Sequence, residues 1–170
     1  SRRPKSREAF RDILEQDLGK KIISTENWEN CLLGADILVE ASRLTEPKPL
    51  FKPEWVKPGS LVIPYGTMSA LPLNFTDIFD KFVMDDLGQL RAGNLGALRP
   101  HIDAGKINEE SFYAEIGQIA AGLKNGREHE NETILFWHRG MSTSDIALGV
   151  AMLEKARKMH LVKQLCYRDD

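Results

Sequence analysis

The chain has few features of a secreted, membrane-bound or nucleic-acid-binding protein. Its 170 residues include two cysteines, Cys31 and Cys166, without metal-binding spacing. This favours reduced core thiols in a cytoplasmic protein over a disulfide. No apolar run is long enough to span a bilayer, so we expect no membrane partner. No basic run accompanies the net charge of −2, so we expect no nucleic-acid partner.

A glycine-rich phosphate-binding motif is also missing. A dinucleotide-binding domain needs a G-x-G turn after its first strand, so that the pyrophosphate can approach a helix N-terminus. None of the 13 glycines is followed by another glycine two positions later. Gly93-Asn-Leu-Gly96 is too short a match, and it follows no predicted strand. Composition and motifs alone therefore predict a protein without a nucleotide site.

Strand patterns alternate with helix patterns along the chain. Strands are predicted over 36–41, 61–64, 82–85 and 133–137, with short candidates at 21–24 and 161–167. Helices are predicted from an N-cap at Ser6 to Gly19, after Thr25 or Asn27, over 75–81 and 109–123, and after Ser142 or Thr143. This alternation predicts an α/β fold with a three-layer parallel sheet and a C-terminal helix.

The predicted strands end in small or polar residues, which a parallel sheet would bring to one rim. The stretch Gly59-Ser-Leu-Val-Ile-Pro-Tyr-Gly66-Thr-Met-Ser69 is the clearest case, because a buried strand stops there in a glycine loop. Other strands end at Ser42, at Asp85-Asp86 and at His138. Ligands of open α/β sheets bind outside the carboxyl ends of the strands. We therefore expect any chemistry of this chain to lie on that rim.

Several short stretches, taken in order, resemble the ornithine cyclodeaminase/mu-crystallin family. They are Gly34-Ala-Asp-Ile-Leu-Val-Glu-Ala, Pro-Leu-Phe-Lys-Pro-Glu-Trp-Val-Lys-Pro-Gly59-Ser, Asn125-Gly-Arg127, Glu132-Thr-Ile-Leu-Phe-Trp-His-Arg-Gly140, and Asp145. The resemblance implies that 1–140 form the latter part of an NAD(P)-binding, Rossmann-like domain. Residues 141–170 would form a helix and arm returning toward a substrate and dimerisation domain. The glycine fingerprint would then lie upstream, and the strand edge left open would invite pairing with another segment.

The same resemblance implies a function. The expected protein is a cytoplasmic, homodimeric oxidoreductase that uses NADP or NAD and acts on a small amino or imino acid. Its reaction would be imine reduction or amino-acid dehydrogenation. Two alternatives stay open: a cyclodeaminase of the ornithine type, and a non-catalytic mu-crystallin-like protein that binds NADPH or another ligand.

The resemblance also assigns cofactor contacts on the rim. They are Arg2, Ala41, Ser42, Gly66, Thr67, Met68 and His138. Arg2 follows the position that tests the ribose, which implies NADP before NAD, although a solvated terminal arginine is the alternative. Glu40 departs from the family pattern, because a carboxylate near a phosphate is unfavourable unless it turns away. His138 stands where the family often carries serine, and the alternative is a half-exposed loop histidine.

No catalytic residue is assigned. Met68 occupies the position at which cyclodeaminating members carry an aspartate, and a thioether cannot act as a base at neutral pH. Of Asp85 and Asp86, one is expected to cap the following helix. The remaining histidines, His101, His129 and His160, are expected at the surface without a metal site.

Overall fold

The structure is a computed structural model that describes residues 3–46, 48–66, 70–93, 95–163 and 165. The chain divides into two compact units, residues 1–138 and 139–170. Among the described residues, no helix combines the length and the apolar character that crossing a membrane requires.

The first unit is built on a parallel sheet. Its strands are β1 (Ile37–Glu40), β2 (Leu61–Pro64), β3 (Lys81–Met84), β4 (Ala114–Glu115) and β5 (Ile134–Trp137). They form a five-stranded sheet in the order β1-β2-β5-β3-β4, and every neighbouring pair is parallel. The predicted α/β fold with a parallel sheet is therefore confirmed, and the carboxyl ends of all five strands face one rim.

Short helices connect the strands, and a longer helix stands at each end of the chain. They are α1 (Pro4–Leu18), α2 (Trp28–Leu32), α3 (Leu87–Arg91), α4 (Arg99–Asp103), α5 (Ile116–Ala120) and α6 (Ser142–Lys158). Single 3₁₀ segments occupy Pro53–Trp55, Leu73–Ile78, Gly96–Leu98 and Glu109–Ser111.

The predicted helix ends are partly correct. The first helix ends at Gly19, which adopts a left-handed φ of 59°, as glycine does most easily. It begins at Pro4 rather than after Ser6, since proline suits the first helical position. Asn27 caps α2 by accepting from the backbone of Glu29. The expected cap of α6 at Ser142 or Thr143 is wrong, because its N-cap is Met141.

The first predicted strands differ from the structure in their burial. In β1, Leu38 is buried, whereas Ile37 is 64% and Val39 60% exposed, so this strand is buried on one face only. The reason is its place at the end of the sheet, where β2 is its neighbour among the described residues. Residues 21–24 form no strand, and Ile23 is 76% exposed. Cys31 is exposed, contrary to the prediction of a core thiol, while Cys166 lies outside the described residues.

The helix predicted over 109–123 is replaced by three short elements. The backbone N–H of Tyr113 donates to Phe82 O at 2.8 Å, and Ala114 pairs with Val83 to begin β4. Phe112 is buried and stacks on Trp137 with ring centroids 5.9 Å apart. Helical spacing of the apolar residues was therefore overridden by their burial against the sheet edge, and α5 keeps the last part of the predicted helix.

The second unit carries the long helix α6. Its apolar residues Ile146, Val150 and Leu153 are 67%, 52% and 43% exposed. The described residues after it, 161–163 and 165, form no strand. The rest of the candidate edge strand at 161–167 lies outside the described residues.

His101 was expected at the surface and is instead fully buried. Its Nε2 lies 2.8 Å from Pro72 O, the distance of a hydrogen bond donated by the ring. Burial lowers the pKa of His101 and outweighs the opposing effects of the Pro72 carbonyl and of Asp77. The positive charge of Lys106 acts in the same direction as burial.

This burial predicts a pH dependence of stability. Because the pKa of His101 is lowered in the folded chain, the unfolded chain binds the proton more readily, and stability falls as pH drops below about 6.5. One such group contributes at most about 1.4 kcal/mol per pH unit. The free energy of unfolding in urea should differ less between about pH 7.5 and about pH 5.5 for His101→Gln than for the wild type. His129→Gln, at an exposed position, is the control, and an unchanged difference in His101→Gln would contradict the argument.

Candidate functional site at the carboxyl ends of the strands

The rim of the sheet carries two clusters of polar residues. The first, at the ends of β1 and β2, consists of Glu40, Ser42 and Gly66. The second, at the ends of β2, β3 and β5, consists of Tyr65, Asp85 and His138. Neither cluster is a metal centre, and within the described ranges no group of three or more histidine, cysteine or acidic side chains could hold an ion.

Glu40 joins the ends of β1 and β2. Its side chain is buried, and Oε1 accepts from the backbone N–H of Ser42 at 2.8 Å and from the Ser42 hydroxyl. Oε2 accepts from the backbone N–H of Gly66 at 3.2 Å. The backbone of Tyr65 donates in turn to Glu40 O at 2.7 Å. The carboxylate is thus directed at the backbone of Ser42 and Gly66 and fastens the ends of β1 and β2 together.

Gly66 is required by this arrangement rather than by its φ angle. A Cβ at this position would lie 2.4 Å from Oε2 of Glu40 and 2.8 Å from Oε1, closer than non-bonded atoms approach. The absent side chain therefore lets the glycine backbone reach the carboxylate. Gly66 itself is buried, so the space without a side chain is filled by the Glu40 carboxylate.

His138 is held between three side chains. Its ring stacks on Tyr65 with centroids 5.2 Å apart and an interplanar angle of 18°. Phe136 lies 5.7 Å from it at a tilt of 32°. Its Nδ1 lies 3.2 Å from Oδ2 of Asp85, a carboxylate with no exposed side-chain surface. The histidine side chain itself remains 36% exposed, so it is the polar side chain of this cluster that a ligand can reach together with Tyr65.

The two aspartates after β3 have different roles. Asp86 caps α3 by accepting from the backbone N–H of Gly88 at 2.7 Å, which confirms that one of the pair is a helix cap. Asp85 accepts from the backbone N–H of Asp86 through Oδ1 at 3.0 Å and faces His138 through Oδ2. Glu115, at the end of β4, accepts from the backbone N–H of Leu87 at 2.8 Å and so fixes the start of α3.

The structure places the predicted contact residues as follows. Ala41 and Ser42 follow β1, Gly66 follows β2, and Glu40 connects Ser42 with Gly66. His138 follows β5 beside Tyr65. Arg2, Thr67 and Met68 lie outside the described residues.

The contact between Asp85 and His138 was not predicted from the sequence. Both residues directly follow strands, so their presence on the rim could be expected from the sequence. Their contact depends on strand order, because β5 lies beside β3 with Met84 opposite Trp137. Strands β3 and β5 are separated in the chain by β4 and α5, and no local sequence pattern specifies that neighbourhood.

Comparison with known proteins confirms the family resemblance found in the sequence. The profile of the ornithine cyclodeaminase/mu-crystallin family matches residues 1–160. An alanine dehydrogenase from Archaeoglobus fulgidus is 32% identical over 124 residues, which cover 71% of this chain and 37% of the relative.

Two solved structures share the fold. The Δ¹-pyrroline-2-carboxylate reductase of Thermococcus litoralis, in complex with NADH and L-proline, matches with a TM-score of 0.82 and 25% identity, covering 96% of this chain and 50% of that chain. An archaeal alanine dehydrogenase dimer with bound NAD matches with a TM-score of 0.78 and 25% identity, covering 98% of this chain and 51% of the other. This chain therefore spans between 37% and 51% of the length of these relatives.

Proposed function

Because the chain belongs to the ornithine cyclodeaminase/mu-crystallin family, we propose that the protein is an NAD(H)-dependent oxidoreductase acting on a small amino or imino acid. Its reaction is the reduction of an imine or the reverse dehydrogenation of an amino acid. The observation that carries the proposal is the rim, where the stacked and partly exposed rings of Tyr65 and His138 lie at the ends of the neighbouring strands β2 and β5. The similar proteins with bound NADH, NAD and proline support it.

The residues on the rim fit the nicotinamide end of a dinucleotide. Both buried carboxylates are turned into the protein, Glu40 toward backbone N–H groups and Asp85 toward His138. Neither carboxylate is therefore directed at a ligand bound to the surface. Ala41, Ser42, Gly66 and His138 would hold the cofactor, together with Arg2, Thr67 and Met68 on the strength of the family resemblance. When bound, the dinucleotide supplies or accepts a hydride at the α-carbon of the substrate.

The chain's own part in this chemistry is to position the reactants. Gly66 and Glu40 hold the ends of β1 and β2 together, and Tyr65 with His138 forms an aromatic surface against which a bound ligand excludes water. The exposed imidazole can hydrogen-bond a ligand. We further propose that 1–140 are the latter part of the nucleotide-binding domain, that 141–170 return toward a substrate and dimerisation domain, and that the protein is a cytoplasmic homodimer.

One alternative has a specific observation in its favour. Met68 replaces the aspartate of cyclodeaminating members, which argues against the cyclodeaminase reaction and is compatible with a mu-crystallin-like protein that binds NADPH without catalysis. The two proposals differ in turnover rather than in cofactor binding.

The experiment uses the protein as its source produces it. NADH and NADPH binding is measured by fluorescence, and oxidation of each is followed with pyruvate plus ammonia and with Δ¹-pyrroline-2-carboxylate. We expect oxidation that depends on one of these substrates. NADH should be preferred, because the similar structures hold NADH and NAD, whereas the expectation of NADP rested on Arg2 alone. Cofactor binding without turnover on either substrate would favour the binding protein. Ammonia release from ornithine without net use of NADH would indicate the cyclodeaminase, and absence of dinucleotide binding would contradict all three.

A further inference from the structure

Asp85 is buried more deeply than a helix cap or a surface acid needs to be. Its carboxylate has no exposed surface, and burying a charge is costly unless it is paired or hydrogen-bonded. Oδ1 is occupied by the backbone N–H of Asp86 at 3.0 Å. That bond orients the group so that Oδ2 lies 3.2 Å from Nδ1 of His138.

The histidine ring is restrained around this contact. Tyr65 stacks on it nearly parallel, and Phe136 lies beside it at a tilt. Its Nδ1 is buried, although the side chain as a whole is 36% exposed, so the exposed surface belongs to the remainder of the side chain, which includes Nε2. The distance to Asp85 suits a hydrogen bond, but the alignment is incomplete, as is common at sites that tighten when a ligand binds.

From this geometry we propose that Asp85 is a positioning residue, which accepts the Nδ1–H of His138 and thereby presents Nε2 to the bound ligand as an acceptor. A carboxylate beside one imidazole nitrogen selects the tautomer and fixes the ring. This inference rests on the proposed function for the identity of the ligand. The chemistry that Nε2 recognises is an N–H donor, supplied either by the carboxamide of the nicotinamide or by the amino group of the substrate.

The first test reads the tautomer without any ligand. In the ¹⁵N-labelled protein at high pH, where imidazole is neutral, the ring nitrogens of His138 are assigned by their loss in His138→Gln. We expect a protonated Nδ1 and an unprotonated Nε2 in the wild type. We expect Asp85→Asn to shift the population toward protonated Nε2, because its amide can donate to Nδ1. Asp86→Asn is the matched control, since asparagine caps helices as well as aspartate does, and it should leave the spectrum unchanged.

Two results would overturn the proposal: a wild-type ring protonated at Nε2, or an Asp85→Asn ring that keeps the wild-type tautomer. The wild-type spectrum alone decides the first point, so the test survives an Asp85→Asn variant that fails to fold. It also needs no cofactor. A protein with the expected tautomer that binds no dinucleotide would therefore contradict the proposed function and leave the pairing of Asp85 with His138 intact.

The second test identifies the donor. Loss of one hydrogen bond should weaken binding up to about tenfold. If the carboxamide is the donor, Asp85→Asn weakens NADH binding but not binding of the 3-acetylpyridine analogue, which lacks that N–H group. If the substrate is the donor, both dinucleotides bind as before and the KM of the amino acid rises. Unchanged binding of NADH together with an unchanged KM would overturn the role of Nε2.

Discussion

Replacement of Gly66 by alanine is expected to reduce dinucleotide affinity at least tenfold and to destabilise the fold by about 1–3 kcal/mol. The new Cβ would lie 2.4 Å from Oε2 of Glu40 and 2.9 Å from its Cδ. The carboxylate cannot withdraw freely, because Oε1 is bonded to the backbone of Ser42. The ends of β1 and β2 must therefore separate, and both belong to the surface that we propose for the cofactor. Cofactor titration and urea unfolding measure the two effects.

A double variant separates the steric cause from loss of the glycine. Glu40→Ala removes the atoms that the new methyl group would meet, so Glu40→Ala/Gly66→Ala should be no less stable than Glu40→Ala alone. Gly117→Ala in α5 is the matched control, because its Cβ would meet nothing within 4 Å, and alanine should there stabilise the helix slightly. If Gly66→Ala behaved like Gly117→Ala, the contact between Glu40 and Gly66 would have no role in positioning the rim.

The sequence predicted the strands better than their surroundings. The bounds of β2 agree with the structure because a buried run there lies between a glycine turn and a glycine loop. The error at 109–123 has a tertiary cause. Phe112 and Ile116 fit one face of a helix, but Phe112 gains more by packing on Trp137, and Ala114 gains more by pairing with Val83. Local periodicity contains no information about a sheet edge that is available nearby.

The site was predictable to the level of strand ends and no further. The positions of Ser42, Gly66 and His138 follow from where parallel strands stop. The role of Glu40 does not, because the groups that donate to its carboxylate, the backbone N–H groups of Ser42 and Gly66, come from two different strand ends. Asp85 beside His138 likewise depends on β3 being the neighbour of β5. Predicting the contacts between strand ends would therefore have required the strand order, whereas predicting the rim required only the positions of the strands.

A buried cluster of charged side chains at the start of β3 also contributes to stability. The side chain of Lys81 is 10% exposed and that of Glu132 is 9% exposed. The Nζ of Lys81 lies 2.8 Å from Glu132 Oε1. The same ammonium group donates to Glu128, and to Gly126 O at 3.0 Å. Burial alone would lower the pKa of Lys81, but the hydrogen bonds to Glu128 and Glu132 outweigh it and raise the pKa. The ammonium group therefore stays charged and ties β3 to the loop before β5.

Lys81→Met should lower the free energy of unfolding by about 2–3 kcal/mol at neutral pH. Removing one partner leaves a buried carboxylate uncompensated, which costs about 3–5 kcal/mol in an enclosed pair; the value here is smaller because Glu128 is 41% exposed. The double variant Lys81→Met/Glu132→Gln removes that charge and should recover at least half of the loss. Urea unfolding of the single and double variants measures both quantities.

The same argument fixes the sign of the pH effect. In the wild type, burial would raise the pKa of Glu132, but Lys81 and the backbone N–H of Glu128 together lower it by more, so the pKa lies below its ordinary value. The pair therefore stabilises the fold at pH values above the ordinary glutamate pKa of about 4.3. In Lys81→Met, burial acts on Glu132 without that opposing cation and raises its pKa, so the variant becomes less stable as pH rises. The difference between variant and wild type should therefore be smaller at about pH 4.5 than at about pH 7.

Lys57→Met provides the matched control, because Lys57 pairs with Asp36 at 2.6 Å but the two side chains are 49% and 82% exposed. Water replaces the partner of an exposed charge, so this variant should unfold like the wild type. Equal losses in Lys81→Met and Lys57→Met would show that enclosure of the ion pair is irrelevant to its contribution. A double variant no more stable than Lys81→Met would show that the uncompensated charge of Glu132 is not the cause. We expect Lys81→Met to lose stability, the added Glu132→Gln change to recover part of it, and Lys57→Met to lose none. Burial is the cause of this difference, since both lysines form ion pairs at similar distances.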